Sequence, residues 1–129
     1  MIYIIDSHAW IEYFLGTEKG LILKKYLKDQ SHKFITLECC LAEIIGWCLR
    51  ENLDYKPYCQ IIKLNSLIFS VTIDLWIHAA EIRFLTRKKV KNFGLIDAIL
   101  VSKQNELKCK VISGDPHFKT LKNVVYLGR

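Results

Sequence analysis

Short apolar runs alternate with longer amphipathic stretches along the whole chain. Short apolar runs bounded by charged or turn-forming residues are typical of buried strands. Two of these runs, MIYIID and KVISGD, each end on an aspartate. The runs predict five strands, over residues 1–6, 33–37, 67–72, 110–115 and 124–127.

The stretches between the apolar runs predict helices. One helix is expected over 7–16, with Ser7 as its N-cap and Gly16 as its stop. Asp54 is the expected cap of another, with Pro57 in its first turn. The remaining helices are predicted over 19–30, 38–51, 73–89 and 95–107.

Two of these helices have a distinctive distribution of apolar residues. The helix over 38–51 is apolar nearly all round, so another surface must cover it. The helix over 73–89 carries a single apolar stripe, which consists of Ile73, Trp76, Ile77, Ala80 and Phe84.

Strands that alternate with helices predict βαβ units and a parallel sheet. The crossover connections of such a sheet are right-handed, and its ligands bind outside the carboxyl ends of the strands. Asp6 and Asp115 both follow predicted strands, so we expect them at one edge of the sheet. The length of 129 residues predicts a single domain over 1–129.

Composition narrows the class of protein. An apolar fraction of 51% indicates a globular chain rather than a disordered one. No apolar run approaches the roughly 20 residues of a membrane span, and the start MIYIID lacks the basic segment of a signal peptide. Five cysteines without a CxxC pair predict reduced thiols and a cytoplasmic location. The net charge of +6 favours an anionic partner, with nucleic acid the first to consider.

Four of the 13 acidic residues lie in apolar surroundings. Asp6 and Asp115 end strands, Glu43 lies within CCLAEII, and Asp97 lies within GLIDAIL. Buried carboxylates are rare unless they are paired or bind metal.

Each of these acids also has a purely structural explanation. Asp6 is a candidate helix cap, and Asp97 is a favourable charge at a helix N-terminus. Asp115 is a candidate turn residue before a proline, and Glu43 is a candidate ion-pair partner of Arg50 or a lysine.

Clustering of all four carboxylates would be costly. Two like charges about 6 Å apart repel by nearly 3 kcal/mol at an effective dielectric constant of about 20. Six such pairs amount to roughly 15 kcal/mol, about the whole stability of a domain. The cluster must therefore take up protons or hold cations. Carboxylate oxygens without a His/Cys cluster favour Mg²⁺ or Mn²⁺ over zinc.

The chain resembles the PIN-domain proteins of the VapC toxin family over almost its full length. The resemblance rests on four motifs in order, IIDSHAWIEYF, TLECCLAEI, GLIDAIL and VISGDPHFKTL. Ser7 and Ser113 match small hydroxyl residues of that family, although Ser113 stands where threonine is commoner. The catalytic and metal-binding acidic quartet of the VapC family corresponds, position by position, to Asp6, Glu43, Asp97 and Asp115.

The resemblance implies a fold, an activity and partners. The implied fold is α/β, a PIN-like three-layer α/β/α arrangement whose central, mostly parallel sheet has about five short strands flanked by helices. The implied activity is that of a Mg²⁺- or Mn²⁺-dependent endoribonuclease that leaves a 5′-phosphate and a 3′-hydroxyl. The implied partners are an RNA substrate, a cognate antitoxin that lies over the site, and a second copy in a homodimer. The helix over 38–51 and the helix after it would supply the dimer surface.

Basic residues near the acids would contact the phosphates of the RNA, with a solvated surface as their structural alternative. These residues are Arg87, Lys88, Lys89, Lys91 and Lys119.

Other functions stay open at this point. A PIN-domain RNA-processing nuclease without an antitoxin would carry the same acids, whereas a non-catalytic RNA-binding domain would bind RNA without Asp6 or Asp97. A metal-free ribonuclease would use His8 and His117 as acid and base. An aspartyl-phosphate phosphotransferase of the haloacid-dehalogenase type needs an acid two positions after the first one, and His8 at that position argues against this function.

Overall fold

A five-stranded, wholly parallel sheet crosses the computed structural model, which describes residues 1–129. The strand order is β3-β2-β1-β4-β5, and every neighbouring pair is parallel. This confirms the α/β fold class and the parallel sheet of five strands. The strands are β1 (Ile2–Ile5), β2 (Lys33–Leu37), β3 (Leu67–Phe69), β4 (Lys110–Ser113) and β5 (Val124–Tyr126).

Six α-helices and one 3₁₀ turn connect the strands. The turn spans Pro116–Phe118, between β4 and β5. None of the helices combines the length and the apolar character required to cross a membrane. The helices are α1 (Ser7–Leu15), α2 (Glu18–Lys28), α3 (Glu38–Arg50), α4 (Tyr55–Asn65), α5 (Ile73–Thr86) and α6 (Leu95–Leu107).

The helices cover both faces of the sheet, because side chains alternate along each strand. In β1, Tyr3 and Ile5 join one core cluster together with Trp10 from α1. Ile4 points the other way and joins a second cluster with Ile99 from α6. These two cores make the three layers of the predicted α/β/α arrangement.

The strand order reverses direction between β1 and β4. The chain passes from β1 to β2 and β3 on one side, and then returns to β4 on the other side of β1. Ile5 pairs with Ile112, and the Asp6 N–H donates to the Ile112 carbonyl at 3.0 Å. Ligands of doubly wound sheets bind at such switch points, at the carboxyl ends of the strands.

β3 and α5 each end three residues earlier than the sequence pattern predicts. β3 ends at Phe69 instead of residue 72, since the Val71 N–H donates to the Glu38 carboxylate rather than to a neighbouring strand. α5 ends at Thr86 instead of residue 89, and the guanidinium of Arg87 donates to the Phe93 carbonyl at 2.7 Å. Both ends depend on tertiary contacts.

The predicted helix stops and caps are right in two cases and wrong in one. Gly16 ends α1 with a φ of 70°, and the Asp54 carboxylate accepts from the Lys56 N–H at the start of α4. The prediction of Ser7 as the N-cap of α1 is wrong, because Asp6 holds that position and Ser7 is the first helical residue. The hydroxyl of Ser7 is thereby free to bond to side chains.

The apolar stripe of α5 faces solvent rather than the core. Ile73, Ile77 and Phe84 are 76%, 58% and 70% exposed, while Leu75 and Ala79 face inward and are buried. Contiguous exposed apolar side chains of this kind mark surfaces that contact other molecules.

Candidate functional site

Asp6 lies at the centre of the switch point. It follows β1, occupies the N-cap position of α1 and is only 4% exposed. Its side chain makes no capping hydrogen bond, which rules out the structural explanation that the sequence left open. Instead, its two carboxylate oxygens accept from Ser113 Oγ at 2.7 Å and from Ser7 Oγ at 3.4 Å.

Glu43 reaches the same edge from α3. Its Oε1 atom accepts a 3.0 Å hydrogen bond from Ser7 Oγ, so one hydroxyl bridges the carboxylates of α3 and β1. Glu43 makes no ion pair with Arg50 or with any lysine. The structure therefore does not support the ion-pair explanation of this acid.

Asp97 lies in the first turn of α6 and also has a local structural role. Its Oδ2 atom accepts from the Gly94 N–H at 2.8 Å and so stabilises the start of the helix. The same atom lies 2.9 Å from Nδ1 of His117. The cap and the contact with the site coexist at this carboxylate.

Asp115 lies at the start of the 3₁₀ turn that follows β4. Its Oδ1 atom accepts from the His117 N–H at 2.9 Å, so the predicted turn role is also present. Its backbone N–H donates to Ser113 Oγ at 3.0 Å. Ser113 thus contacts both acids that follow strands.

Hydrogen bonds connect the whole group into one network. It runs from Glu43 through Ser7 to Asp6, and from there through Ser113 to Asp115, His117 and Asp97. Two groups of residues could each hold a metal ion, because the ligand atoms within a group all lie within 4.8 Å of one another. One group consists of Asp6, Cys40 and Glu43, and the other of Asp97, Asp115 and His117.

Burial and neighbouring carboxylates raise the pKa values of Asp6 and Glu43. Burial raises the pKa of Asp6 to about 7, the hydrogen bond from Ser113 opposes this shift, and the charges of the other three acids add to it. Burial also raises the pKa of Glu43, against the hydrogen bond from Ser7, and the charges of Asp97 and Asp115 raise it further. A bound cation would relieve both the repulsion and the cost of burial.

The donor set fits a hard divalent cation. Each carboxylate retains oxygen lone pairs beyond those used by the hydrogen bonds above. Asp97, Glu43 and Asp115 all lie close enough to Asp6 for their charges to raise its pKa. Oxygen ligands of this type suit Mg²⁺ and Mn²⁺.

Sequence reasoning missed Lys19 as a neighbour of the site. Its Nζ atom donates to the Gly114 carbonyl at 3.4 Å, between Ser113 and Asp115. Gly114 is tightly enclosed, since a Cβ atom there would lie 3.0 Å from His8 Nδ1 and 3.3 Å from Lys19 Cδ. No local pattern around Lys19 indicates this contact.

None of the predicted basic residues forms an ion pair with the four acids. Arg87 is held by the Phe93 carbonyl, and the ammonium of Lys88 lies 5.1 Å from the centre of the Phe84 ring. The side chains of Lys89, Lys91 and Lys119 are exposed and form no ion pair. The aromatic Trp10 is fully buried and donates to Thr36 Oγ1, so it belongs to the core.

Comparison with known proteins gives a match at the level of fold. No family profile and no curated protein matches the chain by sequence. Its structure is similar to VapC20 of Mycobacterium tuberculosis, described as a Sarcin-Ricin loop cleaving toxin, with a TM-score of 0.77 and 17% identity over 95% of this chain and 96% of that one. It is also similar to a toxin–antitoxin complex from Klebsiella pneumoniae, with a TM-score of 0.73 and 15% identity over 97% of both chains.

A third similar structure is VapBC2 of Rickettsia felis bound to a DNA fragment from its promoter, with a TM-score of 0.70 and 15% identity over 98% of this chain and 97% of that one. All three similarities extend over nearly the full length of both chains, so they include the sheet, its strand order and the helices on both faces. The chain therefore has the three-layer PIN-domain fold of the VapC toxins.

Proposed function

We propose that this protein is a metal-dependent endoribonuclease and the toxin of a type II toxin–antitoxin pair. One observation carries the proposal. Four carboxylates converge at the switch point of a fold shared with VapC toxins, and hydrogen bonds join them in one network. Structural capping explains Asp97 and Asp115 in part but leaves Asp6 and Glu43 without a structural role.

Asp6, Asp97 and Asp115 are the proposed metal ligands, with Glu43 as a further one. When bound, Mg²⁺ or Mn²⁺ would lower the pKa of a coordinated water and offset the charge of the scissile phosphate. The serine hydroxyls orient the carboxylates of Asp6 and Glu43, because each donates to a defined oxygen.

Glu43 is the proposed general base. It is the most exposed of the four acids, and the Ser7 hydroxyl orients its Oε1 atom, so its carboxylate is accessible to a water at the site. Its carboxylate would orient the attacking water and take its proton. Attack in line with the leaving group would give a 5′-phosphate and a 3′-hydroxyl.

The exposed basic residues are the proposed RNA contacts. Arg87, Lys88, Lys89 and Lys91 lie in the segment that leads from α5 to Asp97, and Lys119 follows the 3₁₀ turn. Cations around an acidic site would hold the phosphates on either side of the scissile bond.

Two protein partners are part of the proposal. An antitoxin segment would lie over the acidic site, and the similar structures from Klebsiella pneumoniae and Rickettsia felis are those of toxin–antitoxin complexes. A homodimer would cover exposed apolar side chains, of which the largest set lies on α5. The five free cysteines fit a cytoplasmic location for this pair.

The test is a cleavage map. Purified protein is incubated with total RNA and with a sarcin–ricin hairpin, in Mg²⁺, in Mn²⁺ or in EDTA, and new 5′ ends are sequenced. Asp97→Asn serves as the inactive variant, and Asp74→Asn, an exposed acid on α5, serves as the matched control. We expect discrete cuts with 5′-phosphates in the wild type and in Asp74→Asn, and none in EDTA or in Asp97→Asn.

Other outcomes would favour the alternatives. Cuts that persist in EDTA would contradict the metal mechanism and favour His8 and His117 as acid and base. RNA binding that survives Asp6→Asn, without any cleavage by the wild type, would favour a non-catalytic RNA-binding domain. Cleavage that no co-expressed neighbouring protein inhibits would favour an RNA-processing nuclease.

A further inference from the structure

We propose that His117 supplies a nitrogen ligand to the cation, and that the site consequently prefers Mn²⁺ to Mg²⁺. The proposal deepens the proposed function, since it concerns the metal of the same site. His117 Nδ1 lies 2.9 Å from Asp97 Oδ2 and 3.7 Å from Asp115 Oδ1. One donor atom from each of these residues lies within 4.8 Å of the other two.

The position of His117 is fixed by structure on both sides. Its backbone N–H donates to the Asp115 carboxylate, and the next residue, Phe118, is fully buried in the core. Its ring packs against that of Phe93, with 6.4 Å between the ring centres. A ligand must be held in place by its surroundings, and these contacts hold the imidazole towards Asp97.

The ring atom that lies near both carboxylates is Nδ1. Nδ1 lies 2.9 Å from Asp97 Oδ2, and on binding a cation it would release any proton that it shares with this carboxylate. The remaining ring proton then resides on Nε2, as in other histidines that bind through Nδ1.

No other nitrogen or sulfur atom at the site is a comparable ligand. Cys40 Sγ lies near Asp6 and Glu43, but this thiol is fully buried, and its soft sulfur atom does not suit the hard cations Mg²⁺ and Mn²⁺. Nδ1 of His8 is buried against Gly114 without a hydrogen-bond partner and belongs to neither set of donor atoms.

A single imidazole changes the preference of an otherwise all-oxygen site. Mg²⁺ binds oxygen almost exclusively and loses its water reluctantly, whereas Mn²⁺ accepts imidazole and binds nitrogen sites more tightly. Removing His117 is therefore expected to lower the affinity for Mn²⁺ about tenfold and that for Mg²⁺ much less.

The test is pulsed EPR of Mn²⁺ bound to the full-length protein. A coordinated imidazole modulates the electron spin echo of Mn²⁺ through its ¹⁴N nucleus. We expect this modulation in the wild type and in His8→Gln, and its loss in His117→Gln. Protein labelled with ¹⁵N only at histidine shows the coupling as ¹⁵N, which identifies the ligand as a histidine without any substitution.

Affinities complete the test. Mn²⁺ binding is followed by EPR of the free ion, and Mg²⁺ binding by competition with Mn²⁺. His117→Gln is expected to reduce the preference for Mn²⁺ about tenfold, while His8→Gln leaves it unchanged.

The outcomes separate this inference from the proposed function. Bound Mn²⁺ without histidine coupling in the wild type would overturn the assignment of His117 and leave the carboxylate site in place. Equal loss of Mn²⁺ and Mg²⁺ affinity in His117→Gln would also overturn it, because a merely structural residue would act on both ions alike. Failure of the wild type to bind either ion would contradict the proposed metal site itself.

Discussion

Ser113 Oγ donates a 2.7 Å hydrogen bond to Asp6 Oδ2, across 107 positions of the sequence. The same hydroxyl accepts from the Asp115 N–H, so one fully buried serine contacts both acids that follow strands. The parallel pairing of β1 with β4 makes this possible, because it brings their carboxyl ends together. Orientation of the central carboxylate thus depends on a residue that binds no ion in the proposed mechanism.

Ser113→Ala is expected to weaken both the fold and the cation site. It leaves the buried carboxylate of Asp6 without its stronger donor, at a cost of about 2 kcal/mol in the free energy of unfolding. The pKa of Asp6 rises further, since the Ser113 hydrogen bond opposes the effect of burial. Affinity for Mn²⁺, measured by EPR of the free ion, should fall about tenfold.

Ser113→Thr is the matched control, because it keeps the hydroxyl. It should retain most of the Mn²⁺ affinity, with a smaller loss of stability from the added methyl group in a buried site. Equal affinities in the alanine variant and the wild type would show that the hydroxyl does not orient the ligand.

Stability of the protein freed of divalent cations should decrease as the pH rises from about 4 to about 7. Asp6 has an ordinary pKa of 3.8 and a pKa of about 7 in the fold, so within this window the folded state binds a proton that the unfolded state has released. The free energy of unfolding therefore falls as the pH rises, and the total loss reaches about 4 kcal/mol once the pH exceeds the pKa of Asp6 in the fold. Urea unfolding at a series of pH values measures this slope.

Divalent cations and Asp6→Asn each provide a control for the slope. Saturating Mn²⁺ should restore the stability at pH 7, because the cation replaces the missing proton. Asp6→Asn should flatten most of the slope. A metal-free protein that grows more stable over this range would contradict the burial of four mutually repelling carboxylates.

The basic segment between α5 and α6 should determine the salt dependence of RNA binding. Each lysine that contacts a phosphate of single-stranded RNA contributes about 0.7 to the slope of log affinity against log salt. Replacing Lys88, Lys89 and Lys91 together by glutamine should therefore reduce the slope by about two for the inactive Asp97→Asn protein. Filter binding of single-stranded RNA at several salt concentrations measures it.

A second set of lysines gives the comparison for this experiment. Lys33 begins β2 and Lys63 lies near the end of α4, both beside a groove at the amino edge of the sheet. Their replacement by glutamine should leave the slope unchanged. A similar reduction in both variants would show that the net charge of +6, rather than a defined surface, attracts RNA.

Much of the fold follows from local patterns in the sequence. The helix over 95–107 and the strand over 33–37 have the predicted ends, since apolar periodicity and flanking residues agree there. The predicted ends of β3 and α5 lie too far along the chain, because contacts from Glu38 and Phe93, outside these elements, determine where they end. Periodicity placed the stripe of α5 on one face but could not show that this face meets solvent.

Part of the candidate site also follows from local sequence patterns, and part depends on tertiary packing. Strand ends predict that Asp6 and Asp115 share an edge, and the register of β1 with β4 provides the geometry for it. The contact of His117 with Asp97 spans 20 positions and depends on how the 3₁₀ turn packs against α6. No local pattern carries that information, so the sequence offered His117 only as a possible acid or base.

The exposed stripe of α5 leads to the last prediction, which concerns the proposed homodimer. Phe84 is exposed in line with Ile73 and Ile77, whereas Leu64 on α4 is equally exposed but lies outside this stripe. Phe84→Glu should dissociate the dimer without unfolding the protein, because a charge replaces an apolar side chain on an exposed face. Light scattering after size exclusion should give twice 15.1 kDa for the wild type and for Leu64→Glu, and 15.1 kDa for Phe84→Glu. Dissociation by Leu64→Glu alone would instead favour a dimer surface on α3 and α4. A monomeric wild type would contradict the homodimer and favour another protein as the partner of the α5 stripe.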